Sequence, residues 1–253
     1  MSRQTQLTDN QFSKALNLIK NADSVELKLT VSDTDRSSAI TALDMDVLDA
    51  ELRQVVFFDT PDLKLNRAGL VVRARRIRKG GNTVIKLRPV VPDDLPDKVR
   101  RSSSFTIEVD MMPGAFVCSG SLKSEVDNSD VKDVLRRERA IRKLFSAEQR
   151  SFYKEHAPEG VDLDSLMPFG PINLAKLKFS PQGVRGRAVV AELWFYPDGS
   201  RILELSTKCA PDKTFEVVAE MRAFLTGHGI NLTGEQQTKT NKALEYFSHL
   251  KAA

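Results

Sequence analysis

Three tight turns constrain this chain more than any other feature, because each fixes which side chains share one face of a β-ladder. The first is Lys79-Gly80-Gly81-Asn82, between VVRARRIR and NTVIKLRP. A two-residue Gly-Gly loop favours a primed hairpin turn. That turn pairs Lys79 with Asn82, Arg75 with Lys86 and Arg73 with Arg88. Side chains alternate with period two, so Arg73, Arg75, Lys86 and Arg88 fall on one face. Like charges directly opposite one another destabilise a sheet. A polyanion is the natural counterweight.

The second turn, Ser180-Pro181-Gln182-Gly183, fits a type I turn with a glycine bulge. It sets Lys178 across from Gly186 and Lys176 across from Ala188. The third, Tyr196-Pro197-Asp198-Gly199, has the same chemistry. It sets Glu192 across from Glu204, Ser206 across from Val190 and Lys208 across from Ala188. Glu192 and Glu204 then lie side by side on the face that carries Lys176, Lys178 and Lys208. Neighbouring carboxylates call for a divalent cation or a shared proton.

Two more strands repeat the pattern. Ser24, Glu26 and Lys28 alternate around a strand at Val25–Val31, and Thr106, Glu108 and Asp110 alternate in SFTIEVD. The opposite parity is apolar: Val25, Leu27 and Leu29; Leu177 and Phe179; Leu203 and Leu205. An antiparallel sheet usually turns its polar face to water. Here so many charges share a face that a closed barrel with a polar interior, and helices packed on its apolar outside, satisfies the pattern best. Helices are expected over 8–20, 37–52, much of 120–156, 214–227 and 240–250.

Composition narrows the classes. The chain of 253 residues is 41% hydrophobic and carries 38 basic against 34 acidic residues, which excludes a histone-like or an acidic disordered chain. The longest apolar runs, such as Ala188–Ala191, fall far short of the roughly 18 residues that span a bilayer. The N-terminal Met-Ser-Arg-Gln-Thr-Gln has no apolar stretch, so a cytoplasmic location without membrane association is expected. Two cysteines and three histidines show no metal-ligand spacing. No Pro/Gly/Ser-rich linker divides the chain. One domain over 1–253 is expected, with a helical insertion at roughly 120–160.

Val25-Glu26-Leu27-Lys28 resembles the Glu-x-Glu-x-Lys first strand of the CYTH superfamily, the triphosphate tunnel metalloenzymes. FFDTPDLKLNRAGLVVRARR, VIKLRP, FTIEVD, VVAELWFYPDGSRILELS and TKTNKALEYF follow in the family's order. The resemblance covers nearly the whole chain. It implies an α+β fold: an eight-stranded antiparallel β-barrel with flanking helices. It also implies a metal-dependent hydrolase of a triphosphate, inorganic or organic. By resemblance, Lys28, Arg73, Arg75, Lys86, Lys176 or Lys178, and Lys239 would hold phosphates, with Arg88 and Lys208 added from the hairpin register. Glu26, Glu108, Glu192 and Glu204 would bind Mg2+ or Mn2+, and Lys28 and Glu26 would take the catalytic roles. The expected partner is a triphosphate-containing small molecule, and a homodimer is compatible with the resemblance. Nucleic acid is not expected, because the interleaved carboxylates would repel its phosphates.

Two departures matter. Ser24 stands where the family signature begins with glutamate, and Ser206 stands where a late Glu-x-Glu would end. Serine is a poor ligand for a hard cation, although Asp110 shares Glu108's face and could compensate. Two alternative readings therefore stay open: a class IV-like adenylate cyclase making cAMP from ATP, and a non-catalytic polyphosphate- or nucleotide-binding module.

Overall fold

The computed structural model describes residues 9–252 apart from Arg185, Glu235 and Gln237. The N-terminal hexapeptide read above lies outside these residues. The helices are α1 (Asp9–Lys20), α2 (Arg36–Ala42), α3 (Lys64–Arg67), α4 (Asp97–Arg100), α5 (Asn128–Leu135), α6 (Ala147–His156), α7 (Thr214–Gly227) and α8 (Lys239–Ala252). The strands are β1 (Ser24–Val31), β2 (Glu51–Asp59), β3 (Leu70–Arg76), β4 (Gly81–Leu87), β5 (Phe105–Met112), β6 (Ala115–Val126), β7 (Met167–Phe179), β8 (Val189–Phe195) and β9 (Arg201–Cys209).

The strands close into a barrel in the order β1-β5-β6-β4-β3-β2-β7-β8-β9. The expected barrel of eight antiparallel strands is corrected on two counts. There are nine strands, and β1 runs parallel to β5 while pairing antiparallel with β9. The two corrections are one, since an odd number of strands cannot alternate direction all the way round a closed ring.

Two of the three turns also differ from their sequence reading. Arg75 pairs with Asn82 and Val71 with Lys86, not Arg75 with Lys86. The loop is four residues long, closed by Ile77 N–H donating to the Gly80 carbonyl at 3.1 Å. Gly81 belongs to the strand, paired with Arg76 and Val126, and a Cβ there would lie 2.5 Å from the Arg75 carbonyl oxygen. Lys176 pairs with Glu192 and Lys178 with Val190, across a longer loop than expected. The third turn is as read: Glu192 faces Glu204 and Ser206 faces Val190. Both errors are even shifts, so every side chain keeps its face.

The helix expected over 37–52 ends at Ala42. Asp44 takes a positive φ of 48°, and Asp46 accepts from Leu48 N–H in a short turn before β2 begins. The helical insertion starts later than expected, because β6 runs to Val126.

Apolar residues build two separate cores. One lies outside the barrel, where the outward faces of the strands meet the helices through Val25, Leu29, Val72, Leu122, Val131, Phe152 and Val217. The other lies inside one end: Val55, Phe57, Val71, Phe169, Ile172, Leu174, Trp194, Tyr196 and Ile202 pack with Ala243 and Leu244 of α8. Helix α8 therefore stoppers the barrel, and Tyr196 Oη donates to the Lys239 carbonyl at 3.1 Å.

Helix α6 is locked to the wall by Gln149, only 1% exposed. Its Nε2 donates to the carbonyls of Thr83 at 3.3 Å and Leu122 at 3.1 Å, while Oε1 accepts from Thr83 Oγ1 at 2.9 Å. It also completes a capping box with Ser146. Removing the amide strands three buried polar groups, each costing about 1–3 kcal/mol. Gln149→Leu is thus expected to lower stability in urea denaturation by about 3 kcal/mol with the fold retained; a loss below about 1 kcal/mol would contradict this role.

Candidate functional site

Inward-facing residues between the stopper and the open end are overwhelmingly charged. The register sets their neighbours: Thr30 is level with Glu204, Lys28 with Ser206, Glu26 with Lys208 and Asp110, Arg75 with Asn82, Lys176 with Glu192 and Glu51 with Lys176.

Three carboxylates converge on one wall. Oxygens of Glu26, Glu108 and Asp110 lie within 4.8 Å of one another. The register produces this: Glu26 is level with Asp110 across the parallel seam, and Ser24 is level with Glu108. Lysines surround the trio. Lys28 Nζ lies 3.0 Å from Glu26 and 2.7 Å from Asp110, Lys86 Nζ lies 3.0 Å from Asp110, and Lys208 pairs with Glu108. Burial pushes the Asp110 carboxyl up, yet Lys28 and Lys86 hold it well below the usual carboxylate range. Glu26 moves the same way, with Lys28 and Lys208 overcoming burial. Burial pulls the Lys28 ammonium down, but Asp110, Glu26 and Glu204 raise it well above its ordinary value. Lys86 falls, because burial dominates and Lys28 and Arg73 crowd it.

Glu192 and Glu204 sit opposite each other, away from that trio, and one ammonium spans them. Lys239, at the start of α8, pairs with Glu192 and lies 2.7 Å from Glu204. Lys176 lies 3.8 Å from Glu192, and Lys239 also stands 5.2 Å over the Trp194 ring. Burial pushes Glu192 up, but Lys239, Arg75 and Lys176 hold it well below the carboxylate range.

Arg73 and Arg75 differ from every other inward cation. Their Nε atoms are buried without a hydrogen-bond partner, and neither guanidinium has an ion pair among the described residues. Burial pushes Arg73 down, with Glu192, Glu108 and Glu26 too distant to restore it fully. Arg75 is pushed down to about 9, by burial and then by Arg73 itself. Two neighbouring buried guanidinium groups with no anion between them are electrostatically unfinished.

Of the other residues expected from sequence, Arg88 is half-buried, reaches Asn241 Oδ1 at 3.3 Å and is lowered by burial, with Asp110 opposing. Lys178 is exposed near the mouth. Ser206 is buried directly across from Lys28. Inward residues that the reading did not single out are Glu51, Arg53 and Asn82. Alternation in β2 could have found the first two, since Glu51, Arg53, Val55 and Phe57 share parity. Arg53 is tied to Glu51.

No protein-family model matches the chain, and no curated protein matches it in sequence. Solved structures do match its fold. A candidate adenylate cyclase of Bacillus halodurans superposes with a TM-score of 0.60 at 13% identity, over 87% of this chain and 98% of that one. A candidate adenylyl cyclase of Hippeastrum, HpAC1, described as having a dominant triphosphatase activity, superposes with a TM-score of 0.63 at 16% identity, over 87% and 95%. The chain thus shares the barrel fold of these two proteins. A shared fold leaves the activity to be argued from the site. Among the described residues no helix is long and apolar enough to cross a membrane.

The Lys239 bridge has a measurable consequence. A carboxylate held below its unfolded pKa stabilises the fold above about pH 4, and that stability is lost as pH falls toward the folded value. Lys239→Met leaves two adjacent carboxylates without their main counter-ion. It is expected to cost about 3 kcal/mol at pH 7, with the gap to wild type shrinking below about pH 4 as Glu192 protonates. An equal gap at pH 7 and pH 3.5 in urea denaturation would contradict the bridge.

Proposed function

We propose that the chain binds the phosphates of a triphosphate inside its one-ended tunnel and hydrolyses it with a divalent cation. The observation that carries this reading is the Arg73–Arg75 pair, buried and without an anionic partner, beside a wall where three carboxylates meet. A triphosphate lying along that wall supplies the missing negative charge. Guanidinium forks match phosphoryl oxygens bidentately. The fold neighbour described as a triphosphatase supports the same direction.

The donor set fits a hard cation: three carboxylates with oxygens within 4.8 Å of one another. Glu26, Glu108 and Asp110 would hold Mg2+ or Mn2+, with Asp110 supplying the anionic oxygen that Ser24 lacks. A bound divalent cation would polarise a phosphoryl oxygen and orient water. The lysines now pairing with the trio are freed to turn toward phosphate when a cation takes their place.

The remaining roles follow from charge. Arg73 and Arg75 hold the chain extended, with Lys86 at its inner end and Lys176 and Lys208 nearer the mouth. Lys28, whose ammonium lies 3.0 Å from Glu26 and 2.7 Å from Asp110, stabilises charge developing on the phosphoryl oxygens. Most of the catalysis is positioning and neutralisation of charge. Water oxygen bonds to the terminal phosphorus as the bridging P–O bond breaks. Lys239 keeps Glu192 and Glu204 occupied and anchors the stopper.

Tripolyphosphate with Mg2+ or Mn2+ tests the proposal. Phosphate release that falls at least 100-fold in Asp110→Asn and in Arg73→Ala is expected, along with loss of turnover in EDTA. Tight binding with no turnover in any metal would favour the binding-module reading, and cAMP from ATP the cyclase. Absence of both binding and turnover would overturn the proposal.

A further inference from the structure

The parallel seam between β1 and β5 closes only part of the way. Its last pair is Leu27 with Met111. Two residues on, Pro113 has no N–H with which to extend the ladder. β1 itself runs on to Val31, paired with β9. Farther along, the side-chain amide of Gln236 takes the place of a strand: its Oε1 accepts from Thr30 N–H at 2.9 Å, and its Nε2 donates to the Thr30 carbonyl at 3.4 Å. Between these two closures, at Lys28 and Leu29, a cavity of about 560 Å3 opens between the barrel wall and α7. That volume suits a small molecule.

The lining says which kind. Leu27, Leu29 and Leu205 come from the outer face of the barrel, and Met221 and Leu225 from α7. Three of the chain's six methionines, Met111, Met112 and Met221, take part. Unbranched thioethers adapt to apolar guests of varied shape. Leu205 is 2% exposed, Leu29 5% and Met221 6%. Side chains that deep are out of reach of a rigid protein surface, so the cavity takes a small guest and not a partner protein.

The charge around it has one sign. None of the described lining residues is acidic. Lys28 lines the cavity, but its ammonium is committed to Glu26 and Asp110 inside the barrel. Arg222 is exposed on α7 and makes no hydrogen bond or ion pair among the described residues. An apolar body in the cavity with an anionic head at Arg222 satisfies both observations.

We propose that this cavity is a second binding site, separate from the tunnel, for a small amphiphilic carboxylate: its apolar chain lies between β1, β9 and α7, and its carboxylate meets Arg222. A triphosphate does not suit it, because an apolar lining with a single free cation leaves most of that charge unpaired. The site does not depend on the triphosphate reading above. Only the strand layer parts the two, since Lys28 and Ser206 face the interior while Leu27, Leu29 and Leu205 pack outside.

Calorimetry on the full chain with acetate, decanoate and decanol tests the site. Decanoate is expected to bind saturably, and acetate, which has the charge without the chain, not to bind. Decanol keeps the apolar burial and loses the charge, so it is expected to bind about 5- to 10-fold more weakly than decanoate. Arg222→Leu, at an exposed position, is expected to bind decanoate and decanol alike. Arg73→Ala and Arg75→Ala, on the other side of the wall, are expected to leave decanoate affinity unchanged. Loss of decanoate binding in either tunnel variant would put the carboxylate in the tunnel and overturn the inference. So would decanol binding as tightly as decanoate, a preference for decanoate that survives Arg222→Leu, or no saturable binding of decanoate at all. Tripolyphosphate turnover is measured separately, so each of these failures leaves the proposed function standing.

Discussion

Closing a sheet on itself forces every second side chain of every strand into a shared interior, and this barrel fills that interior with charge. Water and salt screen such groups poorly there, so each must find a partner within the wall or wait for one from outside. Most have found one. Lys28, Lys86 and Lys208 are set among Glu26, Glu108 and Asp110, and Lys239 spans Glu192 and Glu204. Arg73 and Arg75 have not, and the imbalance is local even though the whole chain is close to neutral.

The apolar stopper makes that imbalance directional. Phe57, Trp194, Tyr196 and Leu244 close one end by ordinary packing. Lys239 links the packing to the electrostatics, since it begins α8 and its ammonium reaches the paired glutamates. Among the described residues that packing leaves the end bearing Arg53, Lys176 and Lys208 for a ligand to enter. One helix thus sets both the depth of the tunnel and the end from which it is read.

Much of this was legible from period-two alternation alone. The inward set of Glu26, Lys28, Arg73, Arg75, Lys86, Glu108, Lys176, Glu192, Glu204 and Lys208 survived two wrongly placed turns, because both errors were even in register and an even slip keeps the face. What alternation could not give was depth and partner. It grouped Glu192 and Glu204 with Glu26 and Glu108, while the structure sets the Lys239 ammonium between the first two and brings Glu26, Glu108 and Asp110 within 4.8 Å of one another. That outcome depends on a parallel seam between β1 and β5, strands separated by most of a hundred residues, which no local pattern encodes. Asn82 was passed over for a related reason. The turn reading paired it with Lys79 at the end of the hairpin, while the four-residue loop sets it level with Arg75.

The central claim is that the Arg73–Arg75 pair exists to receive a polyanion within the barrel. A crystal structure of the protein with tripolyphosphate and Mn2+ tests it most directly. The expected result is phosphoryl oxygens about 3 Å from both guanidinium groups, with the anomalous signal of manganese among Glu26, Glu108 and Asp110. Tripolyphosphate bound only on the outer surface, with Arg73 and Arg75 contacted by water alone, would contradict it.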